Sequence, residues 1–245
     1  LLYFGDGAHV PYGERSTAQI RDFSKSITEF LLERGSKLVV VACNTASAAA
    51  LKTLREQLPA VHFIGMEPAV KPAVAHTRTG VVGVIATVST MQSAVFASVV
   101  ERFGQGVEVI QQACPGLVRQ IEAGAFDTPE TEAMLRSWLE PMLDRGIDAL
   151  VLGCTHYPMV QPLIERIVGP EVRVIDPAPA IARRVEHVLH EKHRLATTTG
   201  TGSFTCWTSG EVEPFRSMLR YLDLPTDEVH KGCWSGDTRV TPCTS

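Results

Sequence analysis

The sequence predicts an α/β fold with mostly parallel sheets, and two observations carry that prediction. Short β-branched runs alternate with helix-length amphipathic segments along most of the chain. A helix–Gly–strand–Cys–helix unit also occurs twice. The expectation is two similar three-layer α/β lobes, pseudo-twofold related, with the active site in the cleft between them. One lobe is expected over 1–67 plus 178–245 and the other over 68–177.

Taken in order, the apolar opening LLYF reads as a strand. Ser16–Arg34 reads as a helix: Ser-Thr-Ala-Gln is a capping box, Ile20, Phe23, Ile27, Phe30 and Leu31 recur on one face, and Gly35 stops it. Further strands are expected at Lys37–Ala42, His62–Gly65, Val81–Ala86, Val107–Gln111, Ala149–Gly153, Val172–Ile175 and Ser203–Trp207. Asp176-Pro177 starts another helix, with Ile181, Val185, Val188 and Leu189 inward. The tail from Gly232 to Ser245 is polar and broken by Gly and Pro, and is assigned no role. The repeat aligns Glu33-Arg34-Gly35 with Asp144-Arg145-Gly146, Val40 with Val151, Cys43 with Cys154, and Pro59 with Pro170.

Composition narrows the function. A formal charge of -4 without a basic run argues against nucleic acid, and no apolar run approaches the roughly 18 residues of a membrane helix. The N-terminus has no basic segment and no cleavage-like site, so it does not read as a signal peptide. The six cysteines form no CxxC, and the chain has core residues enough to fold without staples. Free thiols in a reducing, cytoplasmic setting are expected.

Cys43 in VVVACNTASAAA and Cys154 in LVLGCTHYP each stand where a buried strand ends and a helix begins. A lone cysteine there is usually a small buried hydrophobe. At a helix N-terminus it can also be a reactive thiol, because unpaired N–H groups and the dipole favour thiolate. Asn44-Thr45 and Thr155-His156, which follow the two thiols, are more than packing requires. Disulfide exchange prefers CxxC. Metal binding lacks a completing cluster, and acyl transfer would use one thiol only. Stereoinversion at carbon uses both: one base removes a proton from one face and an acid returns one to the other.

At these residues the chain resembles a known family. ACNTAS (Ala42–Ser47) and GCTHYP (Gly153–Pro158) are similar to the two active-site motifs of the glutamate racemases, within the aspartate/glutamate racemase family. LLYFGDGAHVPYGERS, IGMEPAVKPA, CPGLVRQIEAG and TSGEVEPFRSML also resemble family segments, in family order. The resemblance implies cofactor-independent interconversion of L- and D-glutamate in the cytoplasm, supplying D-glutamate for peptidoglycan. Cys43 and Cys154 would be the acid/base thiols, with His156 assisting Cys154 and Glu122 as an acidic residue near the site. Tyr12, Gly13, Asn44, Thr45, Thr87, Thr90, Thr155 and His156 would contact substrate. No pyridoxal phosphate and no metal are implied, and a homodimer is.

Taken singly, Tyr12-Gly13 could be an ordinary turn, Thr45 a helix cap, Glu122 a solvated charge and His156 a structural histidine. The alternatives are an aspartate or related racemase of the same fold, and a non-catalytic binding relative. The chain starts just after the point where the family places its first strand, first helix and an Asp-Ser motif. By that resemblance the first lobe lacks one strand and helix, and this chain is expected to be impaired and poorly stable.

Overall fold

A computed structural model describes every residue except 198, 199, 201, 237, 244 and 245. The described residues form ten strands: β1 (Leu2–Gly5), β2 (Val39–Val41), β3 (Phe63–Gly65), β4 (Val81–Ala86), β5 (Glu108–Ala113), β6 (Ala149–Leu152), β7 (Arg173–Ile175), β8 (Thr205–Thr208), β9 (Val229–Ser235) and β10 (Arg239–Pro242). Its α-helices are α1 (Thr17–Glu33), α2 (Asn44–Gln57), α3 (Val70–His76), α4 (Val88–Met91), α5 (Ala94–Phe103), α6 (Leu117–Glu122), α7 (Pro129–Leu143), α8 (Gln161–Val168), α9 (Ala178–Glu191) and α10 (Val212–Tyr221). Single 3-10 turns at Tyr12–Glu14 and Tyr157–Val160 complete them. The α/β class and the mostly parallel pairing agree with the sequence pattern: β1–β8, β8–β9, β4–β5, β4–β6 and β6–β7 pair parallel, and β9–β10 antiparallel.

The chain divides into two compact units, Leu1–Val41 with Ala49–Ile64 and Arg184–Ser245, and Ala42–Ala48 with Gly65–Arg183. The second unit is built on the sheet β5-β4-β6-β7, all parallel. Strands β4 and β6 are buried along almost their whole length because helices cover both faces, which is why they read as continuous apolar runs. Val82, Val84, Ala149 and Val151 pack against Val70 and Ala73 of α3 and Phe96 and Val99 of α5. The chain leaves β4 for β5 on one side and later returns to β6 on the other. The carboxyl ends of β4 and β6 therefore flank a switch point, where open α/β sheets receive ligands.

In the first unit, one sheet has the order β1-β8-β9-β10, and β2 pairs with β3 separately. Helix α1 lies on one face, its Phe30 ring edge-on to Phe4 and Trp207 at centroid distances of 5.2 and 5.1 Å. Helix α10 brings Phe215 against Tyr3 at 5.9 Å. The capping box is present: Ser16 Oγ accepts from the Gln19 N–H at 3.2 Å, and Gln19 Oε1 from the Ser16 N–H at 3.1 Å.

Two readings are extended and one expectation is corrected. The tail, assigned no role from sequence, carries among its described residues the end of β9 and all of β10, because the two segments pair with each other and β9 joins β8. Its local polarity concealed a ladder whose partners are non-local. Helix α1 buries Ser24, Ser26 and Thr28 as well as its apolar stripe, whereas Ile27 and Leu31 are only partly buried. Ser26 Oγ accepts from the Val240 N–H at 2.9 Å, so β10 covers this extra face. Finally, the thiols are not all free: Cys233 and Cys243 form a disulfide, leaving Cys43, Cys114, Cys154 and Cys206 as free cysteines.

Candidate active site

Cys43 follows β2 and occupies the N-cap of α2. Its sulfur accepts from the Ala46 N–H at 3.4 Å, and its carbonyl from the Ser47 N–H at 2.8 Å. The segment is tied into the second unit by its small polar residues. Ser47 Oγ accepts from the Met66 N–H at 2.9 Å. Thr45, Thr87 and Thr90 form a triangle of hydroxyls, every edge 3.0 Å long. Thr87 is itself the N-cap of the short α4, accepting from the Thr90 N–H at 3.2 Å. Cys43, Asn44, Thr45, Thr87 and Thr90, distant in sequence, are thus brought together.

Asn44 is 2% exposed, and neither its amide nitrogen nor its oxygen has a hydrogen-bond partner. Leaving such groups unpaired costs about 1–3 kcal/mol each. An asparagine kept at that cost beside a thiol, at a helix N-terminus, fits a site whose missing partner is a polar ligand.

Cys154 follows β6, held there by a close approach. Gly153 N–H donates to the Ile85 carbonyl at 2.7 Å, and a Cβ on Gly153 would stand 2.8 Å from both Ala86 Cβ and Ile85 O. Only glycine lets β6 end flush against β4 at this point. Cys154 Sγ lies 3.9 Å from His156 Nδ1, and His156 Nε2 lies 2.6 Å from Glu122 Oε1 at the end of α6. The three residues form a chain from thiol through imidazole to carboxylate. Thr155 is half-buried between two of its members.

The two thiols have different electrostatic settings. Burial above all pushes the Cys43 thiol up to about 11; the Ala46 N–H opposes it, and repulsion from a Cys154 thiolate adds to it. At His156 burial acts to lower the imidazole pKa, but the contacts to Cys154 and then Glu122 outweigh it and raise it to about 10. The ring is therefore protonated at neutral pH, next to one thiol and not the other.

Tyr12 and Gly13 lie in the first unit, on the turn Tyr12–Glu14. Tyr12 Oη donates to Asp6 Oδ2 at 2.7 Å. Asp6 is buried and also accepts from Ser209 Oγ at 2.6 Å and Trp234 Nε1 at 2.8 Å, with His9 Nδ1 at 2.9 Å. Sequence reasoning missed Asp6. The signal was present: like the two thiols, it is a polar residue immediately after an apolar strand. It also missed Cys114 and Tyr157. Both are buried, and burial raises the pKa of each, so both stay protonated close to Cys154.

The chain as a whole is similar to known proteins. The Asp/Glu/Hydantoin racemase family matches residues 1–185. A glutamate racemase of Roseiflexus sp. (strain RS-1) is 49% identical over 232 residues, which cover 94% of this chain and 85% of that protein. The structure of the Francisella tularensis glutamate racemase in complex with D-glutamate superposes with a TM-score of 0.80, at 30% identity, covering 94% of this chain and 86% of that one. The Escherichia coli glutamate racemase in complex with L-glutamate gives 0.82, at 29% identity, covering 98% and 88%. The chain belongs to the Asp/Glu/Hydantoin racemase family, among relatives that are glutamate racemases.

Proposed function

We propose that this chain interconverts L- and D-glutamate by a two-thiol acid/base mechanism, feeding D-glutamate to peptidoglycan synthesis in the cytoplasm. The observation that carries the mechanism is the pairing of two electrostatically coupled thiols at strand ends, only one of which is backed by a protonated imidazole. In each turnover one sulfur, as thiolate, takes the Cα proton of glutamate. The other, as thiol, gives its proton to the opposite face of the carbanion. Configuration inverts and the two sulfurs exchange protonation states.

Each residue has a part. Cys43 is poised as the acid, since its raised pKa keeps it a thiol at neutral pH. His156, fixed by Glu122, passes a proton to or from Cys154. Asn44, Thr45, Thr87, Thr90 and Thr155 hold the substrate's polar groups, as do Tyr12 and Gly13. Donors to the substrate carboxylate stabilise the charge that develops at Cα. The chain requires no cofactor in this scheme, and it works as a homodimer.

An aspartate racemase is the second reading, favoured by the breadth of the matching family. Incubation with each enantiomer of glutamate and aspartate in deuterium oxide separates the two. Deuterium at Cα accumulates and so registers slow turnover. Labelling and inversion of glutamate in both directions are expected. Labelling confined to aspartate would establish the second reading, and none with either substrate would leave a binding protein.

A further inference from the structure

We propose that Trp234, on a disulfide-closed hairpin, is a positioning residue for Tyr12 and acts through Asp6. The inference deepens the racemase reading, on which its kinetic test rests.

Trp234 Nε1 and Ser209 Oγ both donate to Asp6 Oδ1, at 2.8 and 2.6 Å. With these two donors on Oδ1 and His9 Nδ1 at 3.1 and 2.9 Å from Oδ1 and Oδ2, the carboxylate plane is fixed, and Oδ2 accepts from the Tyr12 hydroxyl at 2.7 Å. A hydrogen bond to an ionised carboxylate is stronger than one between neutral groups, and burial sharpens the difference. The Asp6–Tyr12 bond is therefore stiffer while Trp234 and Ser209 hold Oδ1.

What holds Trp234 is the hairpin. Strand β9 pairs with β8 from Val229 to Lys231. Beyond Lys231 its described ladder partner is β10 alone, from Pro242↔Gly232 to Arg239↔Ser235. Trp234 lies on this overhang. The Cys233–Cys243 disulfide closes the ladder next to it, and Ser26 of α1 holds β10 through the Val240 N–H. Gly232 lets the overhang pass close to Phe4, since a Cβ there would be 3.0 Å from the Phe4 ring. The indole then rests edge-on to Phe23 and His9, at 5.4 and 4.8 Å. A segment with no assignable role in sequence is in this way the brace of a substrate-contacting tyrosine.

Trp234→Phe keeps the aromatic packing and removes only the N–H donor. Losing one hydrogen bond to a charged group is expected to raise the glutamate KM about tenfold while kcat changes little. Independently of turnover, amide hydrogen exchange should quicken at Ala8, His9, Val10 and Arg15 and stay unchanged in β4 and β6. Cys243→Ser should raise KM by a smaller factor. Dithiothreitol, which splits the disulfide into two thiols and becomes its own cyclic disulfide, should reproduce that rise in the wild type but add nothing to the variant. A wild type that racemises glutamate beside a Trp234→Phe form of unaltered KM would overturn the inference and leave the function standing. A wild type without racemase activity would overturn the functional reading. Unaltered exchange at those four amides would overturn the brace in either case.

Discussion

Cys43 and Cys154 occupy equivalent places in a repeated local pattern, yet the structure gives them unlike surroundings. Cys43 caps a fourteen-residue helix, beside threonine hydroxyls and an unpaired asparagine. Cys154 is followed by a single 3-10 turn and backed by His156 and Glu122. The first setting suits a ligand's polar groups and keeps its thiol protonated. The second suits proton traffic. A duplicated motif can thus supply two reactive groups of one type, while neighbours from elsewhere in the chain give them different protonation behaviour. One such neighbour, Glu122, lies 34 residues from His156 in sequence.

The largest expected effect tests whether both halves are required. Cys43→Ala and Cys154→Ala should each lower two-way racemisation by about 10⁴-fold, the upper range for an acid/base group. Circular dichroism of glutamate solutions measures it, and substantial activity in either variant would reduce the mechanism to one thiol.

The next effect tests the asymmetry. His156→Asn should slow deuterium entry from one glutamate enantiomer about a hundredfold and affect the other far less, the low end for general acid–base assistance. Equal losses from both enantiomers would mean that the imidazole serves the site as a whole. Glu122→Gln keeps a hydrogen bond but loses the charge, so its effect should have the same direction and be about tenfold.

The smallest effect is on stability. His156 has its folded pKa raised to about 10, above the value near 6.5 of an unfolded chain. Its interaction is then fully stabilising below pH 6.5 and is lost as pH rises through 10. Thermal melting should show Tm falling across that window in the wild type and a flatter profile in His156→Asn. Matching profiles would remove the charge from the comparison.

Much of this was legible in the sequence because it depends on local pattern. Strand β4 was read with its observed limits, Val81–Ala86, since a strand covered on both faces is apolar throughout. The α1 capping box was equally plain. Cys43 and Cys154 stood out as polar punctuation after apolar runs, and the motif resemblance gave their neighbours roles. Strands β9 and β10 were not legible. KGCWSG and TRVTPC carry little periodic signal, and their order comes from pairing with each other and with β8. The disulfide was missed for a related reason: Cys233 and Cys243 are not a CxxC, and the hairpin that aligns them is a tertiary fact.

The sequence by itself determined the α/β class, the placement of both thiols after strands and the family to which the chain belongs. Each of these is written in residue order, through alternation of strand and helix, apolar runs and contiguous motifs. Tertiary structure alone decided that Thr45 meets Thr87 and Thr90, that the exposed Glu122 pairs with His156, and that Trp234 reaches Asp6. The physical reason is that a hydrogen bond and a pKa shift depend on distance and burial. Those are set by which strands pair and which faces close, and for residues far apart in the chain no local pattern carries them.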